Sequence, residues 1–452
     1  MTGTEKRAVN SLAGIFMLRM LGLFLILPVF ALYAQGLQGQ TPFLIGLALG
    51  AYGLSQAILQ IPFGMMSDRL GRKRVITAGL ILFAIGSVIA ATSDSIHGVI
   101  LGRAVQGSGA IAAAVMALTA DLTREEYRTR AMATIGVSIG MSFSIALVLG
   151  PILDRAIGMQ GIFWLTAVLA IMAIGILYLF VPNPVSVRHH SDAEVTPTRF
   201  GEVLKNTQLL GLDFGIFVLH LTLMAIFVAV PLALAEKAGL PRDQHWKVYL
   251  GVVVVGFVSM IPLMIMSHKP KLFRYAFSGG IALLILAQAV LYLQGDALFW
   301  IVIGLWIFFT GFNLLEATLP SVISRIAPVD NKGTAIGVYN TFQFFGAFVG
   351  GALGGWLVGR FGLSSVFLMS AVLLSAWLVV AWTSPTPEFL QSHLLRVSVG
   401  NEQEAQKLAG KLMKIPGVAE AVVVLDDGVA YLKIDKKVFD ESQLQEFSPE
   451  KP

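Results

Sequence analysis

The stretch Gly64-Met-Met-Ser-Asp68-Arg69-Leu-Gly71-Arg72-Lys73-Arg74 lies where two long apolar segments meet, Thr41 to Ser67 and Val75 to Ala91. A short loop with four cations and one acid between such segments is typical of a membrane surface. Gly64 and Asp68 are four residues apart and share one helix face. Glycine permits another helix to approach, and the carboxylate can accept hydrogen bonds from a helix N-terminus. The stretch predicts a latch between helices; the alternative is a run of cations that only sets membrane topology.

Apolar residues dominate the composition. Of the 452 residues, 56% are hydrophobic and 13% are charged, and the mean hydropathy is +0.76. A membrane-spanning helix needs roughly 20 apolar residues. Twelve apolar segments of this kind begin near residues 11, 42, 75, 95, 131, 161, 209, 246, 272, 297, 333 and 363. The composition therefore predicts an all-α membrane protein with twelve transmembrane helices in a lipid bilayer.

Lysine and arginine concentrate in the loops of one side, which also holds both chain termini. Because cytoplasmic loops carry such an excess, both termini are expected in the cytoplasm. We expect no cleavable signal peptide, since residues 1–10 are polar and the first apolar segment is full length. The net charge of +5 is explained by these loops and does not indicate nucleic-acid binding. Without cysteine, the chain has no disulfide, thiolate metal site or cysteine nucleophile.

The two halves of the chain repeat each other. Residues 61–69 match 261–269, residues 133–136 match 334–337, and residues 28–37 match 231–240, all at nearly one offset. Six spans per repeat place both copies the same way round in the membrane. The sequence therefore predicts two parallel six-helix halves. The predicted domains are residues 1–182, a cytoplasmic linker at 183–208, residues 209–387, and a soluble cytoplasmic domain at 388–452.

The composition changes after Pro387. Residues 394–399 alternate as a strand, a helix follows from Asn401 to Lys414, a hairpin turns at Asp426-Asp427-Gly428, and residues 441–447 are expected to form a short helix. This β-α-β-β-α order predicts a small α+β ferredoxin-like domain without its last strand. It resembles heavy-metal-associated domains, but Val399-Gly-Asn-Glu402 replaces their Cys-x-x-Cys pair, so no metal is expected. A regulatory or assembly role is the simplest interpretation.

Three motifs resemble those of the major facilitator superfamily. Residues 64–74 are similar to its motif A, and residues 101–109, with Arg103, are similar to motif B of its proton-coupled members. Gly150-Pro151 matches the centre of the antiporter motif, although Asp154-Arg155 replaces the glycine pair that normally follows. With the C-terminal domain, the resemblance is closest to YajR-type bacterial transporters. It implies a rocker-switch drug:proton antiporter of the bacterial inner membrane, driven by the proton gradient without a cofactor.

The resemblance also implies a mechanical role for motif A, whose aspartate would face the N-terminus of the eleventh helix near Lys332. Asp121 ends the fourth span on the same side as the basic loop, so it is expected to join the charge cluster. The candidate latch residues are Gly64, Asp68, Arg69, Gly71, Arg72 and Asp121.

Charged side chains inside a membrane are costly and therefore need a reason. Glu316 is the deepest acid and the first candidate for carrying a proton; a structural pairing with an arginine or hydroxyl is the alternative. Arg103 would act on a neighbouring acid by resemblance to motif B, or would simply bond backbone carbonyls. The other proton-coupling candidates are Asp213, which could also be solvated, His220, which could be an ordinary packed histidine, and Arg19.

Spans one, four, seven and ten would line the substrate cavity by family analogy, and their low polarity suits a hydrophobic substrate. Aromatic residues there, such as Phe312, are also compatible with ordinary helix packing. The other candidate cavity contacts are polar: Gln35, Gln56, Gln60, Asn313, Asn340 and Gln343.

The sequence predicts a secondary active transporter that exchanges protons for a hydrophobic or amphipathic small molecule by alternating access. Proton-coupled metabolite uptake is the alternative within transport. A transporter-like sensor that signals to an unknown ligand or protein partner of the C-terminal domain is the alternative from another class. An enzyme is not expected, because no nucleotide loop, metal-ligand spacing or nucleophile triad is present.

Overall fold

The computed structural model describes residues 1–183, 200–328, 332–385, 391–397, 399–424, 428–435 and 438–447. Most of the predicted linker, residues 184–199, and the predicted turn residues Asp426 and Asp427 lie outside these ranges. The helices of the first half are α1 Gly3–Phe24, α2 Phe30–Ala34, α3 Pro42–Leu70, α4 Arg72–Ala91, α5 Ile96–Ser108, α6 Ala112–Asp121 and α7 Glu125–Leu179. The second half has α8 Phe200–Val203, α9 Thr207–Leu232, α10 His245–Ser267, α11 Pro270–Gln294, α12 Leu298–Ile326, α13 Lys332–Phe361 and α14 Ser364–Thr383.

The described residues form 11 continuous helical stretches that are long and apolar enough to cross a membrane. One of them, α7, has 55 residues and breaks at Gly158, where φ is 68°. That left-handed conformation favours glycine and divides α7 into two spans. The predicted all-α membrane fold with twelve spans is therefore confirmed. The fourth span is itself broken between α5 and α6.

The repeat is visible in equivalent hydrogen bonds. The Ser67 hydroxyl donates to the Gly64 carbonyl at 2.7 Å in α3, and the Ser267 hydroxyl donates to the Met264 carbonyl at 2.8 Å in α10. At the start of α4, Lys73 Nζ donates to a carbonyl beyond the last span of its half, Val181 O, at 2.6 Å. Each half thus repeats the geometry of its partner at this surface.

The second half has the same tie between its third and last spans. At the start of α11, Arg274 Nη2 donates to Trp382 O at 2.6 Å and to Ser384 O at 2.8 Å. Cations in both basic loops therefore have a shared structural role, which is to fasten two helix ends on one surface. We call this surface, where α1 begins and α14 ends, the terminal face, and the opposite surface the distal face.

A glycine seam joins the two halves on the distal side, where α3 crosses α13. A Cβ at Gly46 would overlap the carbonyl of Gly351, and a Cβ at Gly50 would lie 2.6 Å from the carbonyl of Phe348. A Cβ at Gly53 would lie 2.6 Å from Phe344 O. The backbones touch here because these residues have no side chain. We refer to these contacts as the glycine seam.

Two polar contacts also join the halves at the distal face. Gln35 Nε2 donates to Glu236 Oε1 at 2.9 Å, and Arg155 Nη1 donates to Asp243 Oδ2 at 3.1 Å. Towards the terminal face α3 has different neighbours, since a Cβ at Gly64 would meet Ala113 of its own half at 3.1 Å. The halves are therefore held together on the distal side.

The C-terminal domain is a small α+β unit. It contains β1 Gln391–Arg396, α15 Glu402–Leu412, β2 Val418–Val424, β3 Val429–Ile434 and a 3₁₀ turn at Glu441–Phe447. The strands form an antiparallel sheet in the order β1-β3-β2. This is the order of a split β-α-β unit with the third strand inserted between the first two, as the predicted topology requires.

The glycine seam generates a testable prediction. We expect Gly50→Leu to force the distal ends of the halves apart, because its side chain would meet rigid backbone; overpacking of this kind typically costs about 1–3 kcal/mol. Thermal unfolding in detergent should show a midpoint several degrees lower. Gly279→Leu on α11 is the matched control, because a Cβ there meets no atom within 4 Å. An equal effect of both variants would contradict a special role for the seam.

Candidate functional site

A buried charge cluster occupies the terminal face where α3, α4 and α6 meet. Arg72 is only 2% exposed, and its guanidinium forms an ion pair with Asp68. Its Nε donates to Asp121 Oδ2 at 3.1 Å, and its Nη1 donates to the Ser67 hydroxyl at 2.9 Å. Gly71, with φ at 95°, supplies the tight turn that brings Arg72 back onto α3. The structure thus brings together Asp68, Arg72 and Asp121.

Other parts of the basic loop are placed differently. Arg69 and Arg74 are exposed, which fits a role in topology alone. Gly64 admits α6 of its own half through Ala113, rather than a helix of the other half. In this conformation Asp68 contacts Arg72 and not the N-terminus of α13, so the predicted latch is not engaged among the described residues.

A buried arginine lies in the core of the first half. Arg19 is fully buried, and its Nη2 donates to Tyr52 Oη at 2.8 Å, Gln56 Oε1 at 2.9 Å and Gly109 O at 2.8 Å. Gln56 in turn donates to Gln60 at 2.7 Å. Both glutamines are buried: Gln56 binds Arg19, and Gln60 binds Gln56.

Arg103 shares Tyr52 with Arg19 and lies 5.2 Å from the centre of its ring. It donates to Gln106 Oε1 at 2.9 Å and to Ala48 O at 3.4 Å. Within the described residues, no carboxylate lies in ion-pair range of either arginine. The expected acidic neighbour of Arg103 is therefore not among its contacts, and its geometry matches the alternative of a carbonyl-bonded arginine.

The second half brings three polar predictions together in the membrane core. Glu316 on α12 has its Oε2 at 3.8 Å from His220 Nε2 on α9. Gln343 on α13 lies with its Nε2 at 2.8 Å from the same histidine nitrogen and 3.4 Å from Glu316 Oε1. One acid, one imidazole and one amide from three helices therefore form a single cluster, which we call the acid cluster.

Two further polar residues lie on the helices of the acid cluster. Asp213 is on α9 seven residues before His220, about 10 Å along the same helix face, and only 1% of it is exposed. Within the described residues its carboxylate oxygens accept no hydrogen bond. Tyr339, one helical turn before Gln343, has a buried hydroxyl near both Asp213 and Glu316. Burial, rather than solvation, is thus the environment of Asp213.

Aromatic rings form the wall between the halves. Phe143 of α7 contacts Phe24, Phe227, Phe309 and Phe312, with ring centroids 5.2–6.3 Å apart. Phe312 also lies 6.0 Å from the His220 ring. This wall places an apolar surface directly beside the acid cluster.

The remaining predicted cavity and motif residues lie either on α12 and α13 or at the distal face. Asn313 and Asn340 are partly exposed on α12 and α13. Gln35 lies at the distal face, where its side chain donates to Glu236, and its role as a cavity contact stays a prediction. Gly150 is also distal: a Cβ there would lie 2.6 Å from Leu25 O, while Pro151 follows inside α7.

Sequence reasoning missed Phe143, Tyr52 and Tyr339. An aromatic residue in an apolar span gives no signal by itself, because lipid contact and packing use the same residue types. Tyr52 had a signal in principle, since buried arginines need partners and Tyr52 and Gln56 share a face of α3.

The buried charge cluster predicts different effects for the removal of two neighbouring arginines. Arg72→Ala should lower the free energy of unfolding by about 3–5 kcal/mol, because it leaves Asp121 buried without its cation. Arg69→Ala, which removes an exposed cation three residues away, should have little effect. Thermal unfolding of the purified proteins compares the two. Equal stability of both variants would show that the cluster does not hold the terminal face together.

Comparison with known proteins gives one family. The Major Facilitator Superfamily profile matches residues 12–351 and 274–402. The inner membrane transport protein YajR of Escherichia coli (strain K12) is 46% identical over 99% of this chain and 98% of its own. The quinolone resistance protein NorA of Staphylococcus aureus is 24% identical over 74% and 86%, respectively.

Solved structures agree on the fold. A bacterial homologue of the human lysosomal transporter Spinster, in an inward-facing and occupied conformation, superposes with a TM-score of 0.71 at 14% identity, covering 84% of this chain and 97% of its own. The chain therefore belongs to the Major Facilitator Superfamily and is a secondary transporter of that kind.

Proposed function

We propose that this transporter exports a hydrophobic or amphipathic small molecule in exchange for protons. Its place would be the bacterial inner membrane, with the terminal face in the cytoplasm. The acid cluster is the observation that carries the proposal. The low polarity of the cavity wall and the resistance role in the name of NorA support the direction and the substrate class.

The acid cluster is built to take up and release a proton. An apolar environment disfavours a charged carboxylate, whereas the Gln343 amide donates a hydrogen bond to it. The side chain of Glu316 is 36% exposed, whereas its Oε2 atom is buried and accepts no hydrogen bond within the described residues. Burial therefore favours the protonated form of Glu316 and hydrogen bonding favours the charged form, and a conformational change can shift the balance between them.

The helices of the acid cluster connect it to the movement of the halves. Gln343 is one residue before Phe344, which forms part of the glycine seam. A change in the charge of Glu316 therefore acts directly on α13, the helix that packs against the first half. With the terminal face in the cytoplasm, the distal contacts define an inward-open conformation.

An exchange cycle follows from this arrangement. In the inward-open form, Glu316 gives its proton to the cytoplasm and the substrate enters along the Phe143 wall. The loaded, deprotonated protein then opens at the distal face, where it releases the substrate and takes up a proton. Protonation then favours return to the inward-open form. A ligand shifts this equilibrium only through a difference in affinity between the two forms, so the mechanism requires that protonated Glu316 be more stable in the inward-open form.

The first test removes the charge of Glu316. In proteoliposomes loaded with an amphipathic cationic dye such as ethidium, Glu316→Gln should reduce dye movement driven by a pH gradient at least tenfold, because the amide cannot cycle a proton. Dye counterflow without a gradient should persist. Asp94→Asn, an exposed acid at the distal face, is the matched control and should leave both activities unchanged.

The outcomes separate the alternatives. Full gradient-driven transport in Glu316→Gln would refute the proton role. Protons moving with the dye, and not against it, would favour uptake by symport. A truncated protein lacking residues 388–452 tests the sensor interpretation: a transporter should keep most of its flux without them.

A further inference from the structure

The C-terminal domain contacts the membrane unit through a buried lysine. Lys433, on the central strand β3, is only 7% exposed. Its Nζ donates to Ala327 O at 2.7 Å and forms an ion pair with Glu420 Oε2 at 2.9 Å across the sheet. A lysine that is this deeply buried needs both partners, because an unpaired buried ammonium is costly.

The acceptor lies at a sensitive position in the membrane unit. Ala327 is fully buried and ends α12, with its N–H donating to Ile323 O at 2.9 Å. The last carbonyls of a helix have no partner within it, and a cation there interacts favourably with the helix dipole. Lys433 therefore caps the helix that carries Glu316, at the point where the chain turns towards α13.

The end of α12 also lies near the place where the two halves would meet if the terminal face closed. In the glycine seam, Gly46 faces Gly351 and Gly355, Gly50 faces Phe348, and Gly53 faces Phe344. Continued in the same antiparallel register, α3 would place Gly64 opposite Gly333 and Asp68 beyond the first residue of α13, Lys332. A rocking of the halves about the seam that closes the terminal face therefore brings Asp68 towards the start of α13.

We propose that the C-terminal domain is an intramolecular brake. Docked through Lys433 on the end of α12, it holds the terminal face open, and it must shift before the terminal ends of α3 and α13 meet. The brake acts on the conformational equilibrium itself and does not depend on proton exchange or on any substrate.

The absence of cysteine makes a direct test practical. Spin labels on Arg74→Cys in α4 and Lys271→Cys in α11, two exposed positions near helix starts on the terminal face, report its opening by electron–electron double resonance. In the substrate-free full chain, Lys433→Met should raise the ratio of short to long distances on the order of tenfold, as expected for the loss of one charge-assisted hydrogen bond. Lys407→Met, an exposed cation on α15, is the matched control and should leave the ratio unchanged.

A second label pair and a second variant complete the test. Labels at Gln403→Cys and Lys271→Cys report docking and should separate in Lys433→Met. Lys433→Arg keeps the charge and the donor, so it should retain both docking and the open terminal face. An unchanged or more open terminal face in Lys433→Met, a domain that stays docked, or an arginine variant that behaves like methionine would overturn the proposal. These outcomes do not depend on proton exchange, so the brake can be refuted without refuting the proposed function.

Discussion

The contact on which the rest of the structure depends is the backbone packing of α3 against α13. Because Gly46, Gly50 and Gly351 have no side chains, two helices from different halves approach until each lies against backbone carbonyls of the other. Small residues of this kind drive helix association in a membrane, where hydrophobicity itself gives no preference for protein over lipid. The glycine contacts of the seam lie in the distal part of both helices, which is where the proposed alternation between open faces requires a pivot.

The two polar clusters lie at different places relative to the seam. The acid cluster lies directly beside it through Gln343, while the buried cluster around Arg72 lies on the terminal face, beyond the reach of the seam. The C-terminal domain docks at Ala327, which ends α12. The acid cluster and the docking contact therefore both involve α12, while the buried cluster around Arg72 is confined to the first half.

Sequence reasoning predicted the spans well because length and hydropathy are local properties that the bilayer thickness fixes. It also predicted the association of Asp68, Arg72 and Asp121, since helix periodicity and membrane side were enough to place them on one surface. The partnership of Glu316 with His220 could not be predicted in this way. It joins residues 96 positions apart on different helices, and only the packing of α9 against α12 decides it.

Depth along a span likewise does not tell whether a side chain points to the cavity or to the other half; Gln35, predicted as a cavity contact, donates to Glu236 of the other half. Equally, the aromatic wall around Phe143 was hidden among many apolar residues. The two halves also differ more than their repeat suggests: the cations that tie helix ends recur, but His268 replaces Asp68 and Met264 replaces Gly64 in the second half.

In the proposed mechanism, protonation of Glu316 determines which face of the transporter is open. The distance between labels at Arg74→Cys and Lys271→Cys should be measured as a function of pH, in the otherwise unchanged chain and in Glu316→Gln. We expect a lower pH to lengthen the distances, and we expect the glutamine variant to show long distances at every pH. A glutamine variant that still closes and opens with pH would contradict it.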